Sequence, residues 1–267
     1  MSAIDATFET LRSQGRKAFL PFVTAGDPNL EFTGKVLKEL VARGANLCEL
    51  GIPYSDPIAD GPVIQASYTR VLEQKQKLSN ILQAAQTWTT ELTAPVVSMV
   101  SYSIIYRQGL ENYVAKAKAA GIAGAIVPDL LVEESGEFSE ICRREDFNLI
   151  QLVTPTTPPD RALRICETST GFLYFVSVTG ITGVRTELPP EVVDQVGWLK
   201  ERTKLPICIG FGISKPEHVR MLAPVADGLI VGSAIVRKIA EVEEKGEEAV
   251  LAEIGTLVDE LISAMTS

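Results

Sequence analysis

Histidine is almost missing from this chain: His218 is the only one in 267 residues. A Ser-His-Asp or Cys-His apparatus would have to use that residue, and a His-rich zinc site is excluded. His218 follows Pro216 and Glu217 where a helix should begin, and it reads as a surface helix residue. Acid–base work therefore falls to carboxylates, lysine, tyrosine or cysteine. Cysteine is scarce as well. Cys48, Cys142, Cys166 and Cys208 lie far apart, form no CxxC pair and read as reduced thiols of a reducing compartment. No stretch reaches the roughly 18 uncharged apolar residues of a membrane span. Met1–Thr10 carries Asp5 and Glu9 in place of an apolar signal core, so the expected location is cytoplasmic. Cations are outnumbered, 25 Lys and Arg against 34 Asp and Glu, for a net charge of −9. That balance argues against nucleic acid or an anionic membrane as the main partner. It leaves room for an anionic metabolite held by a few local donors.

Eight short apolar runs are present, many of them β-branched: Ala18–Val23, Asn46–Gly51, Pro95–Val100, Ala123–Val127, Leu149–Val153, Phe172–Val178, Pro206–Ile209 and Gly228–Val231. They have the composition of strands covered on both faces. Helical patterns lie between them, such as Val36, Leu37, Leu40 and Val41, and the wide stripe from Val250 to Ile262. Alternation of this kind means parallel strands joined by crossover helices. Eight units in a chain of this length favour a closed (β/α)8 barrel over an open doubly wound sheet, although periodicity alone does not prove closure. With no linker or low-complexity tract, residues 1–267 read as a single domain. Ala3–Gln14 is expected to form an extra helix capping the barrel floor, and Leu78–Glu91 a helix additional to the one starting near Pro62.

In such a barrel the site lies at the C-terminal ends of the strands. Glu49 stands inside an apolar run, where a carboxylate is costly unless it is paired or has a task. Alternation places Leu47, Glu49 and Gly51 on one face and Cys48 and Leu50 on the other. Facing inward, Glu49 would have its pKa raised toward the range useful for proton transfer. A structural Glu satisfied by Arg, Lys or a hydroxyl is an equally open reading. Asp60 follows on a loop stiffened by Pro53, Pro57 and Pro62, which could hold a second carboxylate opposite the first. Asp60 and Asp56 also suit plain turn positions.

Two glycine clusters, Gly210-Phe211-Gly212-Ile213-Ser214 and Gly228 through Gly232-Ser233-Ala234, follow or span the last two strands. Backbone N–H groups there could cradle an oxyanion, with Ser233 adding a hydroxyl. Ordinary tight turns are the alternative. Thr179–Thr186 suits either a lid or a surface loop. No lysine lies within or directly after any of the eight runs, which disfavours a Schiff-base aldolase.

The segment Glu49-x-Gly51-x-Pro53-x-Ser55-Asp56-Pro57-x-Ala59-Asp60-Gly61-Pro62-x-Ile64-Gln65 resembles the signature of the tryptophan synthase α-subunit family. Pro21–Pro28, Gly171–Ser177, Gly180-Ile181-Thr182-Gly183, Gly210–Ser214 and Gly232-Ser233-Ala234 are similar to further motifs of that family, so the resemblance spans essentially the whole chain. Two positions depart from it: Pro128-Asp129-Leu130-Leu131 stands for Pro-Asp-Leu-Pro, and Tyr102-Ser103-Ile104-Ile105 for Tyr-x-Asn-Pro.

The resemblance implies retro-aldol cleavage of indole-3-glycerol phosphate to indole and glyceraldehyde 3-phosphate. In that reading Glu49 protonates C3 of the indole ring and Asp60 holds the indole N–H. Tyr174 lies near Glu49, and Phe22, Ile64 and Phe211 line the pocket. Thr182 and Gly183 belong to the substrate-binding lid, and the backbone of Gly183, Gly212 and Gly232, with Ser233, holds the phosphate. No metal or cofactor is implied on this chain. Pyridoxal phosphate belongs to the implied partner, a β subunit, in an αββα heterotetramer met through the loops Pro53–Asp60 and Tyr102–Arg107. A stand-alone lyase and a non-catalytic phosphate-binding regulator are the alternatives.

Overall fold

Each of the eight apolar runs becomes a strand in the computed structural model, which describes residues 1–58, 60–177, 190–210 and 212–265. The strands are β1 (Ala18–Thr24), β2 (Cys48–Gly51), β3 (Val96–Met99), β4 (Ile122–Ile126), β5 (Asn148–Ile150), β6 (Leu152–Val153), β7 (Leu173–Val176), β8 (Ile207–Gly210) and β9 (Gly228–Val231). All pairings are parallel, in the order β5-β4-β3-β2-β1-β9-β8-β7-β6. The run Leu149–Val153, read as one strand, is divided at Gln151: β5 bonds to β4 while β6 bonds to β7. The Gln151 carbonyl still accepts from the Tyr174 N–H at 3.1 Å, so the two ends of the sheet meet along one continuous stretch of chain. The result is a (β/α)8 barrel.

Strand alternation sorts the apolar side chains into two cores. Leu20, Phe22, Val97, Ile150, Cys208 and Ile230 fill the barrel. Phe19, Val23, Leu50, Leu149 and Ile209 point outward under the helices. Helix α1 (Ala3–Ser13) starts with a capping box in which Ser2 and Asp5 bond reciprocally at 3.1 Å. Its buried face of Ile4, Phe8 and Leu11 closes the barrel floor, with Phe8 against Phe172 at 5.8 Å between ring centroids. Burying each such side chain is worth roughly 1.5–3 kcal/mol. Among the described residues no helix is long and apolar enough to cross a membrane.

At the opposite end, helix α2 (Leu30–Ala42) follows β1, and α3 (Pro62–Glu73) and α4 (Leu78–Glu91) follow β2. Asp27, buried just beyond β1, accepts from Ser67 at 2.5 Å and from Arg70 through both oxygens, at 3.0 and 2.5 Å. This fork locks α3 to the first strand. The segment Tyr102–Arg107, expected as a loop, is instead helix α5 (Tyr102–Gln108). Ser101 caps it by accepting from the Ser103 N–H at 3.2 Å, and Asp129 accepts from Ser101 Oγ and the Tyr102 N–H at 2.7 and 2.8 Å. Helical rotation then separates the apolar triplet: Ile105 is fully buried, Ile104 packs at the core edge and Tyr106 faces solvent.

Candidate functional site

Glu49 pairs in register with Phe22 on one side and Val97 on the other, so it faces the barrel interior one layer below the mouth. It is completely buried, and neither carboxyl oxygen has a hydrogen-bond partner among the described residues. Among the described residues, nothing pairs with Glu49 as the structural reading would require. Burial pushes its carboxyl well above the ordinary 4.5, which favours the protonated form.

Asp60 comes from the loop between β2 and α3. That loop is braced by Gln65, whose amide donates to the carbonyls of Asp60 at 2.7 Å and Pro57 at 3.3 Å. Gly61 caps α3 and Pro62 occupies its first turn, so the helix begins directly after Asp60. Asp60 Oδ2 is buried without a partner. Burial raises the carboxyl to about 6, partly offset by the Tyr54 hydroxyl. Glu49 and Asp60 both act on the Tyr174 phenol and burial raises both carboxyls, so one site at this end of the barrel can supply an acid and a carboxylate together. Asp56 turns away and accepts from Ser55 at 2.6 Å on the exposed surface.

Tyr174 is buried on β7, and its phenol feels both Glu49 and Asp60. It fits there because position 210 is glycine: a Cβ at Gly210 would come within 2.5 Å of the Tyr174 hydroxyl. Phe22 and Ile64 line the same interior core. Gly51 has a similar task, since a Cβ there would overlap Phe22 and lie 2.9 Å from the Tyr68 hydroxyl. Two polar side chains that the sequence did not single out complete the pocket wall. The Tyr68 hydroxyl and Thr24 Oγ1 are both buried without partners among the described residues. Tyr68 was findable in principle, because it follows Ile64 by four residues on the buried face of α3.

Gly212 has φ +79°, a backbone that favours glycine, and Gly232 caps helix Ser233–Ile239 with no side-chain cap on its first N–H groups. Thr182, Gly183 and Phe211, with the lid segment Thr179–Thr186, lie outside the described residues. His218 accepts from the Ser214 N–H at 3.3 Å through Nδ1, a local turn contact. Among the described residues no three His, Cys, Asp or Glu side chains gather as a metal site would.

Fold and site together define a barrel enzyme that works with carboxyl groups at the C-terminal mouth. The family model for the tryptophan synthase alpha chain matches residues 8–266. A tryptophan synthase alpha chain of Rhodopirellula baltica is 57% identical over 263 residues, covering 97% of this chain and 95% of that one. The crystal structure of tryptophan synthase subunit alpha from Legionella pneumophila superposes with TM-score 0.90 at 34% identity, covering 100% and 99% of the two chains. A chain of the tryptophan synthase α2β2 complex of the hyperthermophile Pyrococcus furiosus, whose structure concerns mutual activation, gives 0.85 at 39% identity over 92% and 98%. This chain belongs to the tryptophan synthase α-chain family and is a carbon–carbon lyase.

Proposed function

We propose that this chain cleaves indole-3-glycerol phosphate through Glu49 and Asp60 as a general acid and an anchoring carboxylate. The observation that carries the assignment is that both oxygens of Glu49 and Oδ2 of Asp60 are buried without hydrogen-bond partners among the described residues, because a native interior rarely tolerates such atoms unless a ligand completes them. Glu49, neutral by burial, delivers its proton to C3 of the indole ring. Asp60, ionised above about 6, accepts from the indole N–H and stabilises the positive charge spreading over the protonated ring. Transfer of a glycerol hydroxyl proton to base then lets the C–C bond break, with its electron pair returning to the ring. Indole and glyceraldehyde 3-phosphate leave. Phe22, Ile64 and Tyr174, with Phe211, flank the substrate, while Thr182 and Gly183 cover it. The backbone of Gly212 and Gly232 and the Ser233 hydroxyl take the phosphate. The whole of residues 1–267 acts as one barrel domain, needing no metal or cofactor of its own. Its four free thiols suit the cytoplasm.

Requirement for an ionised Asp60 gives a pH prediction. The kcat/KM for indole release should fall about tenfold per unit below pH 6, and Asp60→Asn should flatten that limb while lowering the rate. An indole-release assay from pH 4.5 to 8 reads both. A limb that survives in Asp60→Asn would assign it to another group.

The phosphate assignment is tested at Gly232. A Cβ there meets Phe22 at 3.4 Å, an ordinary approach, so Gly232→Ala should retain binding. Gly232→Glu places a negative charge beside a dianion and should weaken glycerol 3-phosphate binding about 100-fold by calorimetry. Equal affinity in both variants would move the phosphate elsewhere.

The partner we propose is a pyridoxal-phosphate β subunit, in an αββα assembly. Support comes from the barrel's C-terminal face, where Ile58 is 91% exposed, Tyr106 72% and Leu131 50%, on segments following the adjacent strands β2, β3 and β4. Turnover of the isolated chain separates this reading from a stand-alone lyase: slow alone and fast with partner, or fast throughout.

A further inference from the structure

Tyr68 lies in the third position of its helix's second turn, is almost wholly buried, and its hydroxyl has no hydrogen-bond partner among the described residues. An orphan phenol costs stability on burial, so its retention asks for a task that folding alone does not supply. Its position is well defined. The hydroxyl lies beside Gly51, two residues from Glu49 on the same strand face, and next to the Phe22 ring tip. Its ring packs against Tyr54 with centroids 5.6 Å apart and planes tilted by 52°. Asp60 acts on the Tyr68 hydroxyl more strongly than Tyr54 or Glu49 does. Asp60 Oδ2 is itself an orphan. A donor on α3 and an acceptor on the loop entering that helix are therefore both left unpaired among the described residues.

We propose that Tyr68 is a positioning residue for the cleavage reaction, its hydroxyl donating to the Asp60 carboxylate once substrate fills the pocket. The inference rests on the assignment of Asp60 to the reaction. Asp60 is the favoured acceptor over Glu49, because a phenol donates more strongly to an ion than to a protonated acid. The groups that Asp60 acts on are Tyr54 on its own loop, Tyr174 on β7 and Tyr68 on α3. None of these is a cation, so phenol hydroxyls are what this set offers the anion. Tyr54 holds Asp60 from within the same loop. Tyr68 would hold it from the helix that Asp27 clamps to β1, which is the stiffer support.

The test is Tyr68→Phe in the full chain, assayed for indole release across pH. With the donor gone, kcat should fall about tenfold with KM little changed, and the acidic limb of kcat should rise by about one pH unit. The acidic limb of kcat/KM should stay in place, because it reports the free protein, where the hydroxyl is unpaired. Melting temperature should hold or rise, since only an orphan hydroxyl is removed. The limb's position does not depend on how much variant is folded, so a less stable variant still answers the question. An unmoved kcat limb overturns the role of Tyr68. Wild-type rate in Asp60→Asn would instead overturn the assignment on which it rests.

Discussion

Replacing Glu49 by Gln is expected to cost roughly 10²–10⁴-fold in cleavage, the range that general acid catalysis supplies. The substitution is close to an ideal probe here. Glu49 is fully buried, has no partner among the described residues and is pushed by burial toward its neutral form, so Gln reproduces the shape and charge of the protonated acid and removes only the transferable proton. Substrate affinity should therefore persist, and equilibrium binding of substrate to the variant should match the wild type within a few-fold. Stability should move the other way. In the unfolded chain Glu49 ionises near 4.5, whereas the folded protein holds the proton to a much higher pH. Between those two values the unfolded state binds fewer protons, and wild-type stability falls as pH rises. Gln has no such dependence. Glu49→Gln should be inactive yet more stable than wild type above about pH 5, with the gap widening up to the folded pKa. Denaturant titrations at pH 5 and pH 8 measure it. A variant with more than about a tenth of the wild-type rate would remove Glu49 from the chemistry.

The barrel was legible because each strand is a short apolar run and each crossover a helical stripe, two periods that do not imitate one another. Glu49 was legible for the same reason: alternation along Leu47–Gly51 put it on the face that the structure turns inward. What alternation could not supply was its partner state. Whether an Arg or a hydroxyl reaches a buried carboxylate depends on contacts between distant segments, and the residues around Glu49 come from β1, α3 and β7. Tyr68 was missed on similar grounds. A tyrosine on an apolar helix face is ordinary core until one knows that its hydroxyl ends at a carboxylate loop. The segment after β3 was misread because three consecutive apolar residues have no period of their own. The cap at Ser101 and the fixed carboxylate of Asp129 decide for a helix there, and Asp129 lies 28 residues away in sequence.

Placing a charge on the exposed apolar face should weaken assembly with a β subunit. Ile58 and Tyr106 are the probes, because they expose 91% and 72% of their surface and leave the barrel core untouched. Ile105, beside Tyr106, is fully buried, and Asp there would unfold the protein instead of testing an interface. The pair Ile58→Asp and Tyr106→Asp should each weaken partner binding by about 2–4 kcal/mol if they sit near the interface centre, or roughly 30- to 1,000-fold. Isolated-chain indole release should be unchanged, since neither side chain enters the pocket. The physical link to activation runs through the loop. Ile58 lies two residues before Asp60, on a loop that Gln65 of α3 braces through the carbonyls of Pro57 and Asp60. A partner that packs on Ile58 removes loop freedom that Asp60 would otherwise have to lose during catalysis, raising the rate without new chemistry. Ile58→Asp should therefore reduce activation even at saturating β subunit, whereas Tyr106→Asp should be rescued by excess partner. Titrating β subunit into each variant while following indole release separates the two. Full affinity and full activation in both would place the interface on another face of the barrel.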